Sequence, residues 1–389
     1  MSLAQVNKPL KILHVIGGGE FFGRRLPIGG AAAYLFLLLD ALRAEAFEHV
    51  LVFFYDGPSA NAARERGYKV RILPKRFGKD PTLVFRLAGL MRRESADVVS
   101  TNLTDADFYG RLAARLGGGR AVVSTMHSFI RGTMGHERER RFRETLSLWH
   151  EVRLSPLSDR IITVCDTLAG ELHRLGIDAM RLIAVPPGVD PQRFSSDGSR
   201  FRRELGIDAA TRVIGTVGRL APAKNYPALL DIARRLDDRQ GRTVFVVAGD
   251  GPQKDNLMRL AAERGLDGKV FFAGWRADVE NVIPAFDIFM LTSRTEAMPI
   301  TLLEAMAAAK AVVVPRVGGI PEAVDNGING FTYPAGNYEN ALEILQRLLD
   351  DRGLCRETGR RAVETVSARY SPAAMAKSTA GIYREVGGI

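Results

Sequence analysis

Apolar residues gather along the chain in short β-branched runs that alternate with longer stretches patterned at helical spacing. Lys11 to Ile16, Val50 to Phe54, Lys69 to Leu73, Val98 to Val99, Val122 to Ser124 and Ile161 to Val164 predict strands, with amphipathic segments between them. Strict alternation of this kind predicts a parallel sheet wrapped by helices, because parallel neighbours need a long crossover that a helix supplies. The pattern pauses at Val185-Pro-Pro-Gly-Val-Asp-Pro191. It restarts with Val213 to Val217, Thr243 to Val247, Lys269 to Phe272, Ile288 to Leu291, Ala311 to Val314 and Gly330 to Thr332. A hinge at the pause predicts two Rossmann-like α/β domains, residues 1–188 and 189–371, facing each other across a cleft where the carboxyl ends of both sheets contact one ligand. Met375, Ile382, Tyr383 and Val386 recur at helical spacing after Pro372, although Thr379 interrupts the stripe. Residues 372–389 therefore predict a last helix that packs back towards the first domain.

Length agrees with two domains, since 389 residues exceed the ~250 to 300 at which a single core stops growing. With 46% hydrophobic and 25% charged residues, the composition excludes disordered and fibrous classes. The two cysteines, Cys165 and Cys355, are too few for a disulfide framework and too far apart for a zinc motif, which points to a reducing, cytoplasmic compartment. Ala31 to Leu39, the longest apolar run, is about half of the ~20 residues a bilayer span needs. The net charge of +10 favours anionic partners: nucleic acid, phosphorylated substrates or an acidic membrane. Between Arg64 and Arg93 lie ten basic residues, against only Glu65 and Asp80, which marks this stretch as a candidate contact with an anionic membrane surface.

Two segments carry candidate chemistry. Gly17-Gly18-Gly19 follows the first strand and Gly29-Gly30-Ala31 opens a helix, an arrangement that exposes backbone N–H groups to an anion. It departs from the dinucleotide fingerprint because Phe22 stands where glycine is required, and the chain has no P-loop. In Ser293-Arg-Thr-Glu296-Ala-Met-Pro299-Ile-Thr-Leu-Leu-Glu304, a strand gives way to a loop bearing Glu296, with Pro299 expected at the first helical position. The N–H groups of Ile300, Thr301 and Leu302 are then expected to project from the helix start, ready for a phosphate. Glu304 follows about two turns on, among Leu302, Leu303, Ala305 and Met306, so the helix is buried and its carboxylate needs a polar partner.

Glu296 to Glu304, with Gly318-Gly319-Ile320-Pro321-Glu322 and Asn329-Gly330, resembles the Glu-x7-Glu signature of the retaining, nucleotide-sugar-dependent glycosyltransferases of family four, which have the GT-B fold. Further matches are Gly218-Arg219-Leu220 with Lys224-Asn225, Gly249-Asp250-Gly251-Pro252, Gly274-Trp275-Arg276, Pro187-Gly188-Val189-Asp190 and Gly29-Gly30-Ala31. The resemblance implies that Arg219 and Lys224 bind the donor diphosphate, a task suited to a guanidinium fork and a point charge. It implies that Glu304 accepts hydrogen bonds from ribose hydroxyls and that Glu296 contacts the donor sugar. Backbone groups of Ala297, Met298, Pro299, Ile300 and Thr301 then hold sugar hydroxyls and the distal phosphate, the backbone near Arg276 the base, and Gly30 the donor from the first domain. His127 matches the first-domain histidine close to the reacting sugar; as an isolated histidine after a strand it also fits a purely structural hydrogen bond.

The family usually has Gly and Phe where Ala297 and Met298 stand, and the added methyl bears on the donor sugar more than on the reaction. Asp105-Ala-Asp107 resembles a metal-binding motif of another glycosyltransferase fold, but it suits a helix amino terminus, and no cluster has ligand spacing, so no metal and no cofactor are expected. The resemblance implies a nucleoside diphosphate sugar donor, with UDP favoured, and a carbohydrate, lipid-linked or small-molecule acceptor, as in polysaccharide or envelope synthesis, on or near the inner face of the cytoplasmic membrane. Two alternatives remain at this point: a non-transferring relative such as a sugar-nucleotide epimerase, and a nucleic-acid-binding protein suggested by the charge, although no nucleic-acid partner is expected.

Overall fold

In the computed structural model the described residues are 9–17, 30–78, 80–129, 148–237 and 242–389, together with the backbone of 20–21 and 24–25. They form two compact units, one comprising the described residues up to Pro187 with Pro372–Ile389, the other Gly188–Ser371.

The first unit runs β1 (Leu10–Ile16), β2 (Glu20–Phe21), β3 (Arg24–Arg25), α1 (Gly30–Ala41), β4 (Phe47–Phe53), α2 (Pro58–Glu65), β5 (Lys69–Ile72), α3 (Thr82–Arg93), β6 (Val98–Asn102), α4 (Thr104–Leu116) and β7 (Ala121–Met126). It continues with α5 (148–154), β8 (Arg160–Thr163), α6 (Asp166–Arg174) and β9 (Leu182–Ala184). Apart from the small antiparallel β2–β3 pair, its strands form one sheet ordered β5-β4-β1-β6-β7-β8-β9, parallel throughout. β1 is central and buried on both faces, as its nearly unbroken apolar sequence requires. The exception is His14, fully buried beside His49 at 3.0 Å, and desolvation holds its imidazole well below the usual histidine range.

The second unit runs α7 (Ser199–Glu204), β10 (Arg212–Val217), α8 (Tyr226–Arg235), β11 (Thr243–Ala248), α9 (Lys254–Glu263), β12 (Val270–Gly274), α10 (Val279–Val282) and β13 (Ile288–Met290). There follow α11 (Ile300–Ala307), β14 (Ala311–Pro315), α12 (Ile320–Ala323), β15 (Phe331–Tyr333), α13 (Tyr338–Asp350) and α14 (Arg352–Arg369). Its six strands are parallel in the order β12-β11-β10-β13-β14-β15. Both units are thus Rossmann-like, and in each the strand order reverses beside the first strand, between β1 and β6 and between β10 and β13. The last helix, α15 (Pro372–Gly387), belongs to the first unit, where it packs on α1, β6 and β7 and where Tyr383 donates to Ser100 Oγ at 3.1 Å.

The structure departs from the sequence expectation in three places. β9 was not expected: it is a three-residue, half-exposed edge strand too short to show a period. β6 extends past Val99 through Ser100, Thr101 and Asn102, polar residues that stay in the buried strand because partners satisfy them, as Thr101 does by donating to Asp107 at 2.5 Å. The basic surplus from Arg64 to Arg93 is also answered in space for five of its ten residues. Arg64 pairs with Asp56, Lys69 and Arg71 with Glu94, Lys75 with Asp105 and Arg86 with Asp80, whereas Lys79 lies outside the described residues.

Against this sheet lies a buried ionic cluster. Arg111 and Glu151, 1% and 2% exposed, meet at 2.5 Å, and Arg111 also donates to Ser124 Oγ, which Thr101 and Ser158 share. Asp107 stands beside the pair with one oxygen unpartnered, and burial pushes its carboxyl up towards the protonated form. Removing one member strands the other: Glu151→Ala is expected to cost about 3 to 5 kcal/mol in urea unfolding, whereas the apolar pair Arg111→Met with Glu151→Leu recovers most of the loss. A double-variant cost equal to the sum of the Arg111→Met and Glu151→Leu single costs would show that the pair does not interact.

Candidate active site

The reversal between β10 and β13 leaves an uncovered crevice at the carboxyl edge of the second sheet, and the sequence places its candidate residues there. After β10 the chain passes Gly218 and Arg219 into a short 3-10 turn, Pro222–Lys224, which ends at Asn225 in the left-handed region before α8 begins. Asparagine tolerates that conformation, so the turn can present Lys224 and stop. After β13, Thr292 hydroxyl donates to the Lys224 and Asn225 carbonyls at 3.1 Å, and Arg294 N–H donates to Ala223 O at 2.8 Å. These bonds tie the two loops together and set the central contact: Lys224 Nζ donates to Glu296 Oε1 at 2.6 Å, and Ser293 Oγ donates to the same oxygen at 2.6 Å.

A third loop supports this edge from below. Gly249, after β11, has φ 153°, and a Cβ there would lie 1.9 Å from Gly218 O. Only glycine lets the β10 and β11 loops approach so closely, and Leu220 N–H then donates to Asp250 O at 2.9 Å. Arg219 is held in this backbone frame, and partial burial lowers its guanidinium pKa. The Arg276 side chain is committed elsewhere, to Asp278 through two 2.8 Å bonds and to Glu204 at 3.0 Å, so near Arg276 the backbone is the group left for a ligand.

Pro299 occupies the cap of α11, with extended ψ 117°, and not its first helical position, a correction of one residue. Leu302 N–H is consequently used, donating to Pro299 O at 3.0 Å, so of the three expected donors only Ile300 and Thr301 have N–H groups that meet no backbone acceptor among the described residues. Ala297 and Met298 are buried, and Ala297 O accepts from Gly319 N–H at 2.8 Å, which anchors the loop to the start of α12. Glu304 sits on α11 with 8% exposure, between fully buried Leu303 and Ala305. The polar partner expected for it is not a hydrogen bond: none from a described residue reaches its carboxyl. Burial pushes the carboxyl up to about 7, opposed by the Arg193 guanidinium and assisted by Glu280. Ser293, Thr292, Arg193 and Glu280 were not expected at this site; the serine and threonine at the strand end were the only visible signal, since Arg193 and Glu280 lie far off in sequence.

In the first unit the corresponding reversal joins β1 and β6. Gly17 N–H donates to Asn102 O at 3.1 Å, and a Cβ on Gly17 would lie 2.8 Å from Ala106 N, so glycine lets β1 end against α4. Leu103 follows with φ 78° and ψ 151°, a conformation side chains avoid, at a cost of about 1 to 3 kcal/mol. His127, after β7, hydrogen-bonds Asn102 Oδ1 at 3.1 Å and takes the Tyr34 ring edge-on at 4.9 Å. Desolvation lowers its pKa to about 4, so it is a neutral imidazole at neutral pH. Gly30 is the first residue of α1 with an open backbone, whereas Gly18, Gly19 and Gly29 lie outside the described residues. Asp105 and Asp107 diverge, the first to Lys75 and the second to Thr101, and among the described residues no group of three His, Cys, Asp or Glu side chains is gathered to hold a metal.

Two family models cover nearly the whole chain: Glycosyltransferase Family 4 over residues 28–193 and Glycosyl transferases group 1 over residues 197–365. The chain belongs to this glycosyltransferase family. Among relatives, an Escherichia coli UDP-Gal:alpha-D-GlcNAc-diphosphoundecaprenol alpha-1,3-galactosyltransferase is 28% identical over 289 residues, covering 71% of this chain and 72% of that one. An N-acetyl-alpha-D-glucosaminyl L-malate synthase of Bacillus anthracis is 24% identical over 311 residues, 79% of each chain. Among solved structures, Anabaena HepE in complex with UDP-glucose superimposes with a TM-score of 0.84 at 23% identity, over 97% of this chain and 100% of that one, which establishes the GT-B fold. The protein is a glycosyltransferase of that fold, and no helix among its described residues is long and apolar enough to cross a membrane.

Glu304 gives this glycosyltransferase a pH signature. Its carboxyl pKa is higher folded than unfolded, so the folded state holds the proton more tightly and stability falls as pH rises from about 4.5 to about 7. Above that window the buried charge costs about 3 kcal/mol. Glu304→Gln should therefore unfold at higher denaturant than wild type at pH 8, with the difference shrinking towards pH 4. Parallel stability curves across this range would contradict the burial argument.

Proposed function

We propose that the protein transfers a sugar from a UDP-sugar, with retention of anomeric configuration and without a divalent metal, to a carbohydrate or lipid-linked acceptor held mainly by the first unit. The observation that carries this reading is Glu304, a buried carboxyl that no hydrogen-bond donor among the described residues reaches and whose charged form burial disfavours. Such a group fits a ligand that brings hydroxyls, as a ribose does. The UDP-glucose bound to HepE and the UDP-Gal named for the Escherichia coli relative support UDP as the carrier, and that relative's diphosphoundecaprenol acceptor supports lipid-linked polysaccharide synthesis.

The chemistry follows from the charges at the crevice. Cleavage of the glycosidic bond leaves negative charge on the diphosphate, and Arg219, Lys224 and the Ile300 and Thr301 N–H groups supply the compensating field. These groups replace what a metal would contribute. Glu296 holds Lys224 in place and offers its other oxygen to the sugar, so one carboxylate sets both the cation and the reacting ring. Retention is accounted for by attack from the face the diphosphate leaves, with the departing oxygen taking the acceptor proton, so no protein nucleophile is required.

The two carboxylates separate kinetically. Glu304→Ala should weaken UDP binding roughly 10- to 100-fold by calorimetry, because it removes charged hydrogen bonds to a part of the donor that does not react. Glu296→Gln should lower kcat while UDP affinity stays near wild type. EDTA should leave turnover unchanged. Unaltered UDP affinity in a folded Glu304→Ala protein removes the nucleotide role; activity abolished by EDTA and restored by magnesium or manganese removes metal independence.

A further inference from the structure

Among the described residues of the basic stretch, Arg66, Arg76, Arg92 and Arg93 form no ion pair, and the last two share a surface with α4. α3 (TLVFRLAGLMRR) contains no carboxylate, and α4 (TDADFYGRLAARL) has none after Asp107, which is buried. The two helices pack side by side and present Arg92, Arg93 and Arg115 to solvent. Arg92 also donates to Leu116 O at 3.0 Å, which places the end of α4 against the end of α3. The nearest carboxylate in sequence, Glu94, is 8% exposed and consumed by Lys69 and Arg71. Large apolar side chains stand on the same ground: Phe85 is 68% exposed and Leu116 51% exposed. Phe85 precedes Arg92 by seven residues, so the two lie on one side of α3 about 10 Å apart.

We propose that this α3–α4 face docks the enzyme on an anionic bilayer, with Arg92, Arg93 and Arg115 against lipid phosphates and Phe85 and Leu116 entering the headgroup boundary. A phenyl ring without a polar handle favours that boundary over water, and three arginines complement an acidic leaflet: Arg92 and Arg93 have no carboxylate on their helix, and the exposed carboxylate on the helix of Arg115, Asp105, lies in its first turn and is paired with Lys75. A protein partner would more commonly meet the arginines with carboxylates of its own, and a nucleic acid would leave the aliphatic Leu116 without a role. The assignment is consistent with the lipid-linked acceptor proposed above but does not depend on it, since none of these residues belongs to the donor site.

Vesicle sedimentation tests it with the full chain, comparing phosphatidylcholine alone with phosphatidylcholine containing phosphatidylglycerol. Wild type should pellet only with the anionic vesicles and be released by high salt. Arg92→Ala, Arg93→Ala and Arg115→Ala should each weaken binding roughly fivefold, and the triple variant roughly 100-fold. Phe85→Ser should weaken binding at low salt while every arginine is retained, which a purely electrostatic contact would not show. UDP affinity, measured on the same variants, should stay at the wild-type value, so loss of vesicle binding is separable from failure of the donor site. Equal recovery with both vesicles, or undiminished pelleting of the triple variant, would overturn the proposal. So would arginine-dependent binding to duplex DNA or RNA without vesicle binding, or a concentration-dependent dimer that Phe85→Ser dissolves.

Discussion

A parallel sheet whose strand order reverses must leave one crevice that no crossover helix covers, and in the second unit the Lys224–Glu296 ion pair spans it. The surrounding structure serves this contact. Gly249 lets the β10 and β11 loops touch backbone to backbone, the Pro222–Lys224 turn stops where Asn225 turns left-handed, and Thr292 fastens that turn to the end of β13. Each device uses main-chain groups, whose positions are fixed more firmly than those of long side chains. An ammonium and a carboxylate held this way lose little further freedom when a ligand arrives, which is the condition for strong electrostatic stabilisation of a departing charge.

Each unit contains a feature that folding alone would not select. Glu304 brings a carboxyl into an apolar helix with no donor for it among the described residues, and Leu103 occupies a strained conformation at the equivalent reversal of the first unit. Neither stabilises the protein. Glu304 persists because the packing around it is strong: α11 is anchored by fully buried Leu302, Leu303, Ala305 and Met306, each leucine or methionine contributing about 1.5 to 3 kcal/mol. Surplus core stability around a site allows a few groups to be placed for chemistry.

Most of the architecture was legible because parallel strands buried on both faces are read from apolar runs alone, and helices from their period. What escaped has physical causes. β9 is an edge strand of three residues, and the end of β6 is polar because Ser100, Thr101 and Asn102 are satisfied by partners distant in sequence. Arg219, Lys224, Glu296 and Glu304 were singled out through the family resemblance, yet the groups that surround them in the fold were not. Ser293 lies near Glu296 in sequence, but Arg193 and Glu280 reach Glu304 only through the fold. The basic stretch was misread in degree for the same reason: Asp56, Glu94 and Asp105 lie outside it in sequence and against it in space.

Net charge therefore divides into pools with different physics. Arg219 is partly buried and Lys224 sits 2.6 Å from a carboxylate in a fixed frame, so their fields act over short distances through protein and resist screening. Arg92, Arg93 and Arg115 are exposed and form no ion pair with a described residue, so their field extends into solvent and falls within about 10 Å at ordinary salt. The first kind of cation can stabilise a charge that develops at one atom; the second can only bias where the molecule resides. A composition that reports +10 cannot distinguish them, and the difference lies in which carboxylates the fold returns to each cation.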